Sequence, residues 1–230
     1  MANGLVRITN LVKSYGDAVV LDVSELALQA GERYAVIGPN GAGKSTLLRI
    51  LAGTLQASGG EVDIPQSWTV GYLPQHPFIF DISVQRNVAV AVEKGLSREQ
   101  RNVRVGQALE MVGMQDMADA RGSQLSGGQA QRVALARLFA RPCDLMLLDE
   151  PTSAMDIKGT IAVEQALARF LEQSDTTLVM CTHAPAQALR VSTRTLFLDE
   201  GLLVEQGPTS SLVNGPQTKA AREFLSYWRI

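Results

Sequence analysis

Tyr34-Ala-Val-Ile-Gly38-Pro39-Asn40-Gly41-Ala42-Gly43-Lys44-Ser45-Thr46-Leu-Leu-Arg-Ile-Leu-Ala52 decides the fold. A short apolar run, Tyr34 to Ile37, reads as a strand that ends at Gly38. A glycine-rich turn follows. Leu47, Leu48 and Leu51 then recur at helical spacing, with Gly53 as the stop. Gly38 to Ser45 fits the pattern G-x-x-x-x-G-K-[ST] in full, between a strand and a helix as that pattern requires. The glycines open backbone angles closed to other residues and let amides approach oxygens closely. Successive N–H groups make an anion nest, and the helix N-terminus adds the positive end of its dipole. Lys44 supplies a point charge for β- and γ-phosphates, and the Ser45 hydroxyl suits Mg²⁺. The motif predicts a nucleotide site, but kinases and GTPases share it.

Working outward, Leu5-Val-Arg-Ile-Thr9 and Val19 to Leu28 alternate as strands. Leu145-Met-Leu-Leu-Asp149 and Thr177-Leu-Val-Met-Cys-Thr182 are buried strands with a helix, Ile161 to Leu171, between them. Strand, helix, strand predicts a parallel sheet with crossover helices. From about Asp81 to Ala140 the pattern is mainly helical. Ser97 and Gln100 form a capping box, and Val105, Ala108, Leu109 and Val112 mark one helical face. Ala221, Phe224, Leu225 and Trp228 form a terminal apolar stripe suited to a short docking helix. The predicted fold class is α/β: a P-loop NTPase core with a mainly parallel sheet, an N-terminal antiparallel β subdomain and an inserted α-helical subdomain. One domain over 1–230 is expected, with the helical part at about 81–140.

The bulk composition agrees. Of 230 residues, 46% are hydrophobic and 19% charged, as in ordinary globular proteins. A net charge of −2 argues against a chain built to coat nucleic acid. Cys143 and Cys181 sit in or beside apolar runs and read as buried thiols rather than a disulfide scaffold. The first residues lack the apolar core of a signal peptide, and no run is long enough to span a bilayer. The chain is expected to be cytosolic, with any membrane link through a partner.

A second constellation sits at Asp149-Glu150. A buried strand ending in two acids delivers Asp149 to the carboxyl edge of the sheet beside the cradle, where it can hold Mg²⁺ through water. Glu150, one residue on, is placed to polarise a water attacking the γ-phosphate. A third lies at Leu125-Ser126-Gly127-Gly128-Gln129. A hydroxyl, two glycine amides and a helix start make a second phosphate-binding arrangement, although a serine-capped helix start would carry the same letters.

With the cradle and the acid pair, Leu-Ser-Gly-Gly-Gln resembles the ATP-binding-cassette (ABC) ATPases over essentially the whole chain. The resemblance implies a homodimer in which Ser126, Gly127, Gly128 and Gln129 of one copy close over the nucleotide held by the other copy's cradle, from Gly38 to Thr46. It implies that Tyr15 stacks on adenine, with a strand tyrosine packed on the sheet as the alternative. It implies that Gln75 reaches Mg²⁺ and the attacking water, that Ser153-Ala-Met-Asp156 crosses the dimer interface, and that His183 contacts the γ-phosphate. ATP and Mg²⁺ are the implied cofactors, Ser45, Gln75 and Asp149 the implied metal contacts, and Glu150, His183 and Lys44 the implied catalytic groups.

The implied partners are integral membrane permease subunits and a periplasmic or extracellular solute-binding protein, with the chain peripheral on the cytoplasmic face of the membrane and no nucleic acid involved. Phe78 and Phe80 fit either a contact for a membrane-subunit helix or the core of the helical part. Short matches at Gln187 to Ser192, Glu205 to Thr209, Asn214 to Gln217 and Phe224-Leu225 resemble phosphate- and tungstate-type importers, with an oxyanion as the implied cargo. A polar amino-acid importer ATPase and a soluble single-cassette ATPase of the cluster-assembly type are the alternatives.

Overall fold

The alternation of the first strands is realised as a long antiparallel ribbon. β1 (Leu5–Tyr15) pairs with β2 (Ala18–Gln29) from Leu5↔Gln29 to Tyr15↔Ala18, with a bulge between Lys13 and Ser14. Val6, Ile8 and Leu11 from β1, and Leu21, Val23, Leu26 and Leu28 from β2, turn one face into the core, as a half-buried sheet demands. The computed structural model describes residues 5–141 and 143–228. They divide into two units: Met1–Gly71, Asp144–Glu150 and Asp175–Ile230 form one, and Tyr72–Cys143 with Pro151–Ser174 the other.

The first unit carries the sheet. β3 (Arg33–Ile37) leads through the glycine turn into α1 (Lys44–Leu51), and β4 (Gly59–Asp63) adds antiparallel to β1. β5 (Val70–Leu73) begins in this unit. β6 (Leu145–Asp149) and β7 (Thr177–Cys181) are buried at every position, the mark of parallel strands covered on both faces. After α6 (Pro185–Val191), β8 (Arg194–Asp199) and β9 (Leu202–Pro208) form an antiparallel pair. β3 lies between β8 and β7, parallel to both, and β7 is parallel to β6. The order is β4-β1-β2-β9-β8-β3-β7-β6, so a parallel centre carries an antiparallel wing. A single bridge, Asp22↔Leu202, joins wing to centre, beside a hydrogen bond from Asp22 N–H to Gly201 O. The sheet is therefore mixed, with parallel pairing concentrated where the phosphate turn begins.

α7 (Thr209–Asn214) and α8 (Lys219–Ser226) close this unit. Ala221 and Leu225 of α8 bury against Ala35, Ile37 and Phe197, and Phe224 packs on Phe197 with ring centroids 5.5 Å apart. The terminal stripe thus docks on the sheet as expected, except that Trp228 lies past the helix and is 46% exposed.

The second unit is helical, with α2 (Val84–Ala89), α3 (Arg98–Met111), α4 (Gly127–Phe139) and α5 (Ile157–Glu172). The Ser97–Gln100 capping box forms, and Val105, Ala108, Leu109 and Val112 are all buried. Buried Asn87 ties the turn before α2 by bonding both N–H and C=O of Phe80, and Arg137 of α4 donates to the Asn87 and Phe78 carbonyls. Phe78 is 70% exposed and Phe80 45% exposed, so neither is a core residue. The core reading fails because Asn87 and Arg137 hold the backbone of this turn and leave its rings outside. No helix among the described residues is long and apolar enough to cross a membrane.

Candidate functional site

β3 is buried to its end, so the chain must turn sharply there, and glycines make the turn. Gly38 has φ of 146°, and a Cβ on it would stand 2.0 Å from the Leu198 carbonyl oxygen. Gly43 caps α1 in the left-handed region at φ 92°. Lys44, only 7% exposed, folds its ammonium back into the loop and donates to the Gly38 and Pro39 carbonyls, 2.8 Å each. Burial pushes the Lys44 ammonium below its ordinary range, against the pull of the nearby Glu150 and Asp149 carboxylates. Asn40, Gly41 and Ser45 line the exposed side, whereas Ala42 is buried and Pro39 and Thr46 are half-buried.

β6 ends on Asp149, which is 3% exposed and accepts a hydrogen bond from the Ser45 hydroxyl at 3.0 Å. Burial raises the Asp149 carboxyl above its usual value, and the Ser45 bond partly offsets this. Glu150 then breaks from the strand at φ 48°, a left-handed angle that a non-glycine residue adopts at a cost of about 1–2 kcal/mol. Its N–H donates to Cys181 O at 3.1 Å, which locks this departure onto the end of β7. The same strand delivers His183, whose Nδ1 lies 3.5 Å from Glu150 Oε2. His183 also meets the Trp228 ring at 6.1 Å between centroids.

Three parallel strands therefore bring Lys44, Ser45, Asp149, Glu150 and His183 to one edge, at their carboxyl ends, where open α/β sheets hold ligands. Both cysteines are buried, and burial pushes the Cys181 thiol well up. Tyr15, also in this unit, ends β1 with its ring 54% exposed and the Lys13 ammonium 4.8 Å above it. At that exposure Tyr15 is not part of the sheet core.

The donor set fits a hard divalent cation. Ser45 and Asp149 present oxygens to one point, and a cation there would offset the burial of the Asp149 carboxylate. No group of three His, Cys, Asp or Glu among the described residues makes a protein-only metal site. An ion here would complete its shell with phosphate oxygens and water, as Mg²⁺ commonly does.

The remaining residues lie in the helical unit. Ser126 accepts from Gln129 N–H at 3.3 Å, and Gln129 Oε1 accepts from Ser126 N–H at 2.8 Å. The signature is thus a real capping box at the start of α4. Gly127 and Gly128 are needed for a further reason: a Cβ on Gly128 would stand 3.1 Å from Ala154 O, and one on Gly127 would stand 3.3 Å from the Ala154 Cβ. The glycines let the Ser153–Asp156 turn pass against the signature, and Asp156 then caps α5 by accepting from Gly159 N–H at 2.7 Å. Gln75 is half-buried, and its carbonyl accepts from Gln131. Sequence reasoning misses Gln131, whose position in Gln129-Ala-Gln131-Arg is its only signal. It also misses the Leu198 carbonyl and the Glu200-Gly201 turn that back the cradle glycines.

Comparison with known proteins follows the same lines. A family model described as ABC transporter matches residues 21–153. A probable anion import ATP-binding protein of Haloferax volcanii is 36% identical over 94% of this chain and 84% of its own length. The glutamine transport ATP-binding protein GlnQ of Bacillus subtilis is 37% identical, over 96% of this chain and 98% of its own. Among solved structures, a dimeric post-hydrolysis state of an ATP-binding cassette bound to ADP and Pi superposes with a TM-score of 0.81, at 28% identity, over 89% of this chain and 98% of that one.

Proposed function

The chain belongs to the ABC transporter family, and from that premise we propose that it is the ATP-binding subunit of an importer, hydrolysing ATP as a head-to-tail pair of copies to move a solute across a membrane. The whole chain, 1–230, acts as one cassette with its helical part at about 81–140, peripheral on the cytoplasmic face of a membrane and docked on permease subunits. A solute-binding protein supplies the cargo. An oxyanion such as phosphate or tungstate is the cargo favoured by the tail motifs, and the anion-importer relative supports it.

One observation carries the catalytic reading: Lys44, the Ser45–Asp149 pair and the Glu150–His183 pair meet at the end of three buried parallel strands. The loop amides and Lys44 bind and orient the phosphates. Ser45 and Asp149 would hold Mg²⁺, which when bound would neutralise charge on the phosphates, and the family resemblance assigns Gln75 to the same ion. Glu150 takes the proton of the attacking water, and His183, beside it, orients that carboxylate and meets the γ-phosphate. Tyr15 stacks on adenine. Ser126, Gly127, Gly128 and Gln129 of the second copy complete the enclosure and exclude water.

The test is Glu150→Gln, which keeps the shape and removes the base. It is expected to bind ATP with affinity near that of the native chain, to hydrolyse about 100-fold slower or more, and to accumulate as a two-copy species with trapped ATP on size-exclusion chromatography. Native turnover in this variant refutes the role of Glu150. Failure of the native chain to hydrolyse ATP at all refutes the function.

A further inference from the structure

Gln131 sits in the second turn of α4 and is 1% exposed, whereas Gln129 and Arg132 beside it are half-buried. A buried primary amide is retained only where its bonds are met. Here they reach two segments far away in sequence. Nε2 donates to the Gln75 carbonyl at 3.2 Å and to the Ser153 hydroxyl at 3.2 Å, and Oε1 accepts from Ala154 N–H at 3.3 Å. The orientation of the amide is forced, because a backbone carbonyl can only accept and a backbone N–H can only donate. The Gln75 segment, the signature helix and the Ser153–Asp156 turn therefore share one side chain, and the Gly128–Ala154 approach presses the last two together.

We propose that Gln131 is a positioning residue that fixes the Gln75 segment and the Ser153–Asp156 turn to the signature helix as one piece. This rests on the reading of the chain as a two-copy ATPase. In that frame the turn meets the partner copy while Gln75 meets the nucleotide of its own, so Gln131 carries the arrival of the partner to the water-positioning glutamine. Nucleotide binding to one copy does not need it. Turnover in the pair does.

The experiment compares Gln131→Met, Gln131→Glu and Ser153→Ala with the native chain by two readouts. Gln131→Met keeps the length and apolar volume but removes the bonds to Gln75, Ser153 and Ala154. Gln131→Glu keeps the acceptor for Ala154 N–H and sets an oxygen against the Gln75 carbonyl. Ser153→Ala removes one bond to the turn. In steady-state hydrolysis, Gln131→Met is expected to lose about 10- to 100-fold in kcat with KM and the affinity for a fluorescent ATP analogue within about twofold of native, Gln131→Glu to lose at least as much, and Ser153→Ala least.

In hydrogen–deuterium exchange, Gln131→Met is expected to accelerate exchange in both residues 74–80 and 153–156, whereas Ser153→Ala accelerates only the second. Exchange that rises in one segment alone in Gln131→Met, or native kcat in that variant, overturns the linkage. So does a loss that falls equally on kcat and nucleotide affinity. If Gln131→Met folds poorly, Ser153→Ala decides: a lowered kcat with faster exchange confined to residues 153–156 supports the linkage, and native kcat with unchanged exchange overturns it. Coupled exchange in a native chain that hydrolyses no ATP would instead overturn the proposed function and leave the linkage standing.

Discussion

Replacing Gly38 and Gly41 by alanine, one at a time, separates two uses of glycine within a single loop. At Gly38 the new Cβ stands 2.0 Å from the Leu198 carbonyl oxygen and 3.0 Å from its carbon, and φ is 146°. The obstacle is backbone inside the sheet, where β8 pairs with both β3 and β9, so it cannot swing aside as a side-chain tip would. Relief requires a displacement of about 1 Å in packed strands, an overpacking penalty of roughly 1–3 kcal/mol, on top of about 1–2 kcal/mol for the backbone angle. At Gly41 φ is 82° and nothing lies within 4 Å of the added carbon, so only the left-handed penalty of about 1–2 kcal/mol remains.

For a chain of this length each kcal/mol moves the melting temperature by about 2–4 °C. Gly38→Ala is expected to melt roughly 10 °C below native, and Gly41→Ala only a few degrees below. The assay is thermal and urea unfolding followed by circular dichroism, with the earliest transition scored because the chain has two units. ATP affinity should divide the other way for Gly41→Ala, which loses about tenfold or more because the added methyl stands on the exposed face of the cradle where phosphates must approach the amides. Gly38→Ala as stable as Gly41→Ala, or Gly41→Ala binding ATP natively, refutes this reading of the loop.

Two further predictions turn on ionisation. Burial raises the folded-state pKa of Asp149, so the ionised form is a liability of the fold above that pKa and is relieved as pH falls. Asp149→Asn should therefore abolish Mg²⁺-dependent hydrolysis yet raise the melting temperature at pH 7, with the gain shrinking as pH is lowered toward the ordinary aspartate range; a lower melting temperature at pH 7 contradicts it. Glu205 behaves oppositely. Burial would push it up, but N–H bonds from Gln217 and Thr218 and the Thr218 hydroxyl outweigh burial and hold it below the usual value. Its contribution to docking α8 is present above the ordinary glutamate pKa of about 4.3 and is lost as pH falls through the depressed one. Glu205→Gln should lose about 1 kcal/mol in urea titration at pH 7 and less at pH 3; equal losses at both pH values contradict it.

The elements legible in the sequence are those whose local chemistry leaves one solution. The Gly38–Ser45 turn reads correctly because the glycines and the flanking apolar runs agree, and the Ser97 and Ser126 capping boxes form because both their bonds lie within four residues. β4, β5, β8 and β9 are not legible in the same way. β4 carries two glycines and lies largely exposed at the sheet edge, and β9 carries Gly207 and Pro208, so both lack the apolar alternation that marks a strand. Their strand character comes from partners, β1 for one and β8 for the other. Gln131 is hidden for the same reason at the scale of a side chain, since its bonds reach 56 and 22 residues along the chain. Phe78 and Phe80 stay ambiguous in the sequence because apolar letters do not say which way a turn faces, and here Asn87 and Arg137 decide it.

Three unfavourable terms meet at the site. Lys44 and Asp149 are both disfavoured by burial in their charged forms, and Glu150 holds a left-handed angle. Lys44 follows β3, and Asp149 and Glu150 end β6, on either side of β7, and β6 and β7 are buried at every residue. A core of that quality can hold strained and desolvated groups in place, and groups so held need little reorganisation when a phosphate and a cation arrive. The consequence is a sign pattern along one edge of the sheet. Removing the buried charge at Asp149 should stabilise while abolishing turnover, and crowding Gly38 should destabilise, because the first relaxes what the fold supports and the second breaks the support itself.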